Sequence, residues 1–175
     1  MLSEKMEKAL NTHLNAEIYS SYLYLSMSAY FGNLNLTGSA SWMKIQALEE
    51  MTHAMKFYNF IEERGGRVTL TQVAQPEVEW SKPLACFEDV LKHEQHVSAL
   101  VNDLVALAMA EKDFATNNFL QWFVGEQVEE ESAADEVVQT LKLAGDQGNG
   151  LFMVDRELAG RAFVMPPDIT LNGLV

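Results

Sequence analysis

Apolar residues recur at alternating spacings of three and four along four long stretches of this chain. That period matches one face of an α-helix. In the first stretch Leu10, Leu14, Ser21, Tyr24, Ser28 and Phe31 trace one seam. The predicted helix runs from Ser3, a candidate N-cap, to Phe31, with Gly32-Asn33 as its stop. Met43, Ala47, Ala54, Phe57 and Ile61 mark a second helix, from about Thr37 to Arg64, ended by Gly65-Gly66. A third begins near Ser81 to Pro83 and continues to about Lys112. Ser81 is its candidate N-cap, and Phe87, Leu91, Ser98, Val101, Val105 and Ala108 form its seam. A fourth follows Asp113 and reaches Gly145, with Leu120, Phe123, Ala134, Val137, Leu141 and Ala144 in line. A shorter fifth helix is expected from about Asn149 to Leu158. In the tail, residues 161–175, Pro166-Pro167 and Gly173 argue against regular structure beyond a turn or two.

These elements predict an all-α, four-helix bundle occupying residues 1–160. The short connection at 33–37 should fold the second helix back antiparallel to the first. Residues 67–82 are different. Val68-Thr69-Leu70-Thr71 is β-favouring, and Pro76 and Pro83 bracket polar residues and Trp80. A long extended crossover here would let the third helix run parallel to the second. The 175 residues suffice for one sizeable core, and 48% apolar with 21% charged content predicts an ordered chain. The longest apolar run, Leu104 to Ala110, is too short to span a bilayer. Met1-Leu2-Ser3-Glu4-Lys5 lacks a secretory h-region, and Cys86 is the only cysteine. Both point to the cytoplasm. A net charge of −13 argues against nucleic acid and anionic membrane as partners and is compatible with attracting cations.

The seams carry one anomaly each. Glu17, Glu50, Glu94 and Glu130 sit near the middles of the four long helices, on the apolar stripe. Four buried carboxylates would repel one another, and each unpaired charge would cost several kcal/mol, of the order of ~3–5. Metal cations remove that cost. His53 follows Glu50 by three residues, so both side chains can reach one ion. The spacing is that of bundles whose cores hold two metals, with a Glu from two helices and Glu-x-x-His from the other two. A water-filled polar network without metal is the competing explanation. All-oxygen ligation would leave Mg²⁺ or Ca²⁺ open, whereas His53 shifts the choice toward a transition metal.

The fourth helix departs from the pattern. It offers Gln127-x-x-Glu130 in place of Glu-x-x-His. One metal position would have Glu17, Glu50 and His53. The other would have Glu50 as a bridge, Glu94 and Glu130, with Gln127 a weak ligand or hydrogen-bond partner. Oxygen-rich, unequal ligation suits metal that arrives, reacts and leaves.

Leu48-Glu49-Glu50-Met51-Thr52-His53, Lys92-His93-Glu94-Gln95, Phe119-Leu120-Gln121-Trp122 and Glu126-Gln127-x-Glu129-Glu130-Glu131 resemble the helix motifs of non-haem ferritins of the bacterial type. Gly150-Leu151-Phe152 with Asp155-Arg156-Glu157-Leu158 resembles the fifth helix of that family. The resemblance covers about residues 1–160. It implies a ferritin-like four-helix bundle with a long crossover between helices 2 and 3. It also implies a shell of twenty-four subunits that oxidises Fe²⁺ at an intrasubunit di-iron centre with O₂ or peroxide and stores a ferric oxide mineral. Its ferroxidase residues would be Glu17, Glu50, His53, Glu94 and Glu130, with Gln127 adjoining. A third iron position is implied near Glu49, Glu126, Glu129 and Glu130.

Tyr24 lies seven residues after Glu17 on the same seam, which predicts a hydroxyl near the centre that bonds a ligand or supplies an electron. Trp122, one turn before Gln127, is equally open to core packing. His13, His93 and His96 have no evident partner by spacing, His93 and His96 are read as surface residues, and Cys86 falls outside the seam. Met51 follows Glu50 as a haem-ligating Met does in related bacterioferritins, but Gln127-x-x-Glu130 replaces their second Glu-x-x-His, so no haem is expected. Rival functions are a di-iron oxygenase or peroxidase, which would need firmly held iron and a substrate pocket, and a haem-bearing or DNA-protective shell, against which the acidic charge argues.

Overall fold

Five α-helices and no strand make up the described residues of a computed structural model of the chain, which comprise 1–145 and 148–165. They are α1 (Glu4–Asn33), α2 (Thr37–Glu63), α3 (Pro83–Ala110), α4 (Phe114–Ala144) and α5 (Gly148–Leu158). Residues 166–175 of the predicted tail, including Pro166-Pro167 and Gly173, lie outside the described residues. No helix is long and apolar enough to cross a membrane. Two units are formed: Met1–Val78 with Glu157–Val175, and Glu79–Arg156.

In the first unit, Ser3 caps α1 as expected, its hydroxyl accepting from Met6 N at 3.0 Å. The chain reverses at residues 34–36. Asn35 takes φ 58°, a left-handed conformation that Asn tolerates better than most residues, and Leu36 N donates to Phe31 O. All seven predicted α1 seam positions are buried, and so are the six on α2. Two seam serines show why small polar residues occur there. Ser21 Oγ donates to Ala47 O at 2.7 Å, and Ser28 Oγ to Ala40 O at 2.8 Å. Higher numbers on α1 pair with lower numbers on α2, so the helices are antiparallel. Each buried hydroxyl is satisfied, and the net gain is about 1 kcal/mol apiece.

α2 stops at two glycines with different duties. Gly65 takes φ 72°, and Gly66 N closes the turn on Ile61 O at 2.9 Å. A Cβ on Gly66 would come within 2.9 Å of Glu7 Oε2 and 3.0 Å of Leu2 Cδ1. Gly66 therefore permits a close approach to α1, where the crossover begins.

The crossover forms no strand, although Val68 to Thr71 favour one. Its backbone is satisfied by side chains of α1 instead. Arg67 N donates to Glu7 Oε2 at 3.2 Å, Asn11 Nδ2 donates to Arg67 O at 3.0 Å, and Thr69 N donates to Asn11 Oδ1 at 2.6 Å. Thr71 N reaches Asn15 Oδ1 at 3.3 Å, and Ser26 Oγ donates to Glu77 O at 2.6 Å. Glu7, Asn11, Asn15 and Ser26 are thus a rail along which the extended chain runs.

In the second unit, α3 begins at Pro83 with Lys82 as its cap residue. The expected cap, Ser81, is one residue too early, and no side chain caps this end. The α3 stripe is also rotated from its predicted position. Val90, Val97 and Leu104 are buried with Phe87, Glu94, Val101 and Ala108, whereas Leu91, Ser98 and Val105 are half-buried. Cys86 belongs to this stripe and is fully buried, contrary to its placement outside the seam. Burial, and to a lesser extent nearby Asp89, push its thiol pKa far up, so it stays protonated. Asp113 caps α4 through Thr116 N at 3.1 Å and Thr116 Oγ1 at 2.7 Å. Every predicted α4 seam residue but Ala144 is buried.

The rail carries a prediction. Asn11→Ala removes two bonds to the crossover, worth about 1 kcal/mol together after solvent replaces them. Backbone amides of residues 67–71 should exchange hydrogen about five times faster, with helical circular dichroism unchanged. Unchanged exchange in that segment would show that the rail does not hold it.

Candidate metal centre

Glu17, Glu50 and His53 meet inside the first unit. Their exposures are 1%, 2% and 2%, so none of them is solvated by bulk water. The helical register explains the meeting. Glu50 and His53 are three residues apart on the inward stripe of α2, and Glu17 projects from the facing stripe of α1. His53 Nδ1 lies 3.5 Å from Glu50 Oε2 and 4.0 Å from Glu17 Oε2. One ligand atom from each residue falls within 4.8 Å of the others. Direct hydrogen bonds would be shorter. Bonds of about 2.0–2.2 Å to one ion place two donors roughly 3–4 Å apart, so these separations fit a shared cation. Glu17 Oε2 is buried without a hydrogen-bond partner. An orphaned carboxylate oxygen aimed among other donors is what a cation site requires.

His13 contributes what its spacing did not suggest. It is 3% exposed, tilted against Phe57 at 4.5 Å, and its Nε2 is 2.8 Å from Glu17 Oε1. The ring nitrogen makes no well-directed hydrogen bond, so the contact is mainly electrostatic. Burial alone would raise the pKa of Glu17. His13, His53 and Glu50 together outweigh it, His13 most of all, and the carboxyl is held down at about 2. Glu17 is therefore ionised and ready to bind a cation. The i, i+4 spacing of His13 and Glu17 was the available signal.

Two further residues extend this cluster. Gln46, fully buried, directs Nε2 toward Glu50 Oε1 at 3.5 Å, at the outer limit of a hydrogen bond. Arg161, beyond α5, pairs with half-buried Glu49 and with Gln46. Tyr24 is completely buried on the Glu17 seam, two turns along. Met51 is 42% exposed and does not pack into this unit's core.

The second unit holds the other predicted carboxylates. Glu94 is buried on α3, and Gln127 and Glu130 are buried on α4. Gln127 acts here as a hydrogen-bond partner. Its Nε2 donates to Glu94 Oε2 and Glu94 O, both at 3.2 Å, and approaches Ser98 Oγ at 3.4 Å. Ser98 in turn bonds Glu131. The amide thus fixes the orientation of Glu94 and leaves it an oxygen-only ligand. Glu126 is half-buried and Glu129 exposed on the same helix. Trp122 is half-buried and packs edge-on against Phe123 at 4.8 Å. His93 is half-buried, not fully at the surface, and His96 is exposed.

An all-α chain with buried Glu and His donors on its long helices defines a carboxylate-rich bundle whose donors could hold a metal. Comparison with known proteins makes the class specific. Residues 7–144 match the family model described as Ferritin, the ferritin-like domain. A bacterial non-heme ferritin of Bacteroides fragilis is 47% identical over 161 residues, spanning 92% of this chain and all of that protein. One from Escherichia coli is 38% identical over 159 residues, spanning 91% and 96%. A solved structure of an open pore ferritin from Archaeoglobus fulgidus has 52% identity and a TM-score of 0.92, covering 93% of this chain and all of that one. The chain belongs to the ferritin family, and its fold is the all-α ferritin-like bundle.

The orphaned oxygen gives a direct test. Glu17→Gln keeps the shape and removes the charge. It should weaken Zn²⁺ binding to the metal-free protein by at least about tenfold, roughly 1.4 kcal/mol, while helical content stays the same. Equal affinity by calorimetry would exclude Glu17 as a ligand.

Proposed function

We propose that the protein is an iron-storage ferritin that oxidises Fe²⁺ at an intrasubunit di-iron centre and retains the product as a ferric oxide mineral. The cluster of Glu17, Glu50 and His53, with its unpartnered Glu17 oxygen, is the observation that carries this reading. In the proposal Glu17, Glu50 and His53 bind iron in the first unit, and Glu94 and Glu130 are the iron ligands of the second. Gln127 holds Glu94 in place, and Tyr24 is the residue proposed to bond a ligand or pass an electron. Glu49, Glu126, Glu129 and Glu130 form a third, transient iron position.

The chemistry follows from the donors. Each Fe²⁺ gives up one electron, whereas O₂ and hydrogen peroxide take electrons in pairs, so two irons sharing a carboxylate are the useful number. Carboxylates are hard ligands and favour Fe³⁺ over Fe²⁺, which helps oxidation proceed. A single nitrogen among many oxygens binds the product less tenaciously than a two-histidine site would, so it can move on. Storage needs an enclosure, and the family relationship supports a shell of identical subunits, with twenty-four as the proposed number. Tyr22 and Leu25 on α1 and Leu48 and Met51 on α2 are about half exposed, as apolar residues at a subunit interface would be. The acidic charge supports cation entry, and the cytoplasm is the proposed location.

Aerobic addition of Fe²⁺ to the assembled protein should give rapid oxidation and retain far more than the two irons per chain of a cofactor site. Uptake that stops at two would identify an oxygenase-type centre instead. Glu130→Ala should slow the oxidation at least about tenfold while size-exclusion chromatography shows an unchanged assembly. Elution of the wild-type protein at monomer mass would contradict the shell.

A further inference from the structure

Arg161 stands out because three different groups hold it. Its Nη2 pairs with Glu49 Oε2, its Nη1 donates to Gln46 Oε1 at 2.6 Å, and its guanidinium carbon sits 4.4 Å from the centre of the Trp42 ring. The ion pair is about one-fifth exposed, so water screens it only partly. A planar guanidinium suits this place. It can offer separate N–H groups to a carboxylate and an amide while stacking on an indole, which a lysine cannot do. Trp42, Gln46 and Glu49 lie on successive turns of α2, so one arginine spans a strip of helix that leads to Glu50.

We propose that Arg161 is a latch on the third cation position, an inference that rests on the proposed di-iron function. Glu49 is already neutralised by a fixed positive charge. A cation that is to use Glu49 must displace the guanidinium and face its repulsion. Divalent ions therefore fill the positions around Glu50 first, and the position at Glu49 opens only when they compete successfully with Arg161. The latch also sets the neighbouring amide. Because Arg161 claims the oxygen of Gln46, the NH₂ group of Gln46 is left facing Glu50 Oε1. Arg161 is thus a positioning residue for Glu50, at one remove, and a gate for Glu49.

The test is a calorimetric titration of the metal-free, assembled protein with Zn²⁺, which carries the charge of Fe²⁺ without its redox chemistry. The wild type should show tight sites and a much weaker one. In Arg161→Gln the weak site should tighten at least tenfold, a gain that misfolding cannot imitate. Arg161→Lys, which keeps the charge but loses the two-pronged contact, should fall between. Adding Glu49→Gln to Arg161→Gln should remove the gained affinity. Identical isotherms for wild type and Arg161→Gln would overturn the latch while leaving the di-iron reading intact. An absence of tight sites in every variant would defeat the di-iron reading, and the latch with it.

Discussion

Burying Glu17 beside Glu50 is the constraint to which the rest of this site answers. Two carboxylates in a shared pocket of low polarity repel, and each has left the water that would have stabilised it. The first unit answers with imidazoles. His13 stands beside one oxygen of Glu17, and His53 stands between the other oxygen and Glu50. Compensation is incomplete, since Glu17 Oε2 has no hydrogen-bond partner. A fold stabilised only for its own sake would replace such a group by an apolar one at little cost. Here the orphaned oxygen supports the proposal that the pocket receives a cation.

The second unit solves the same problem differently. Glu94 is held by the amide of Gln127, a neutral donor, and α3–α4 contributes no buried imidazole. A neutral amide fixes the geometry of Glu94. Glu-x-x-His on α2 offers an imidazole nitrogen, whereas Gln-x-x-Glu on α4 offers an amide and a carboxylate. That difference underlies the proposal that iron passes through this centre and does not reside there.

Much of this was legible in the sequence because it depends on period. The seams of α1, α2 and α4 were traced correctly, with Glu17, Glu50 and Glu130 inside them, since a helix converts spacing directly into direction. On α3 the spacing reads Phe87, Glu94, Val101 and Ala108 correctly and sets Leu91, Ser98 and Val105 each one position off. The apolar residues of this helix are dense enough to support two adjacent stripes, and packing chose the one through Val90, Val97 and Leu104. Cys86 was misplaced for the same reason. The extended crossover is legible in the sequence, but what holds it is not, because its hydrogen-bond partners are Asn11 and Asn15, more than fifty residues earlier. Arg161 was hidden in the same way: nothing local connects it to Glu49. His13 is a different case. Its distance from Glu17 is local and helical, and the pairing could have been read from the four-residue spacing alone.

The central proposal is that Glu17, Glu50 and His53 hold iron within the first unit. Crystals of the metal-free protein soaked anaerobically in Fe²⁺ and measured at the iron absorption edge test it most directly. The account predicts an anomalous peak within bonding distance of Glu17, Glu50 and His53. Iron bound only away from these three residues would contradict it.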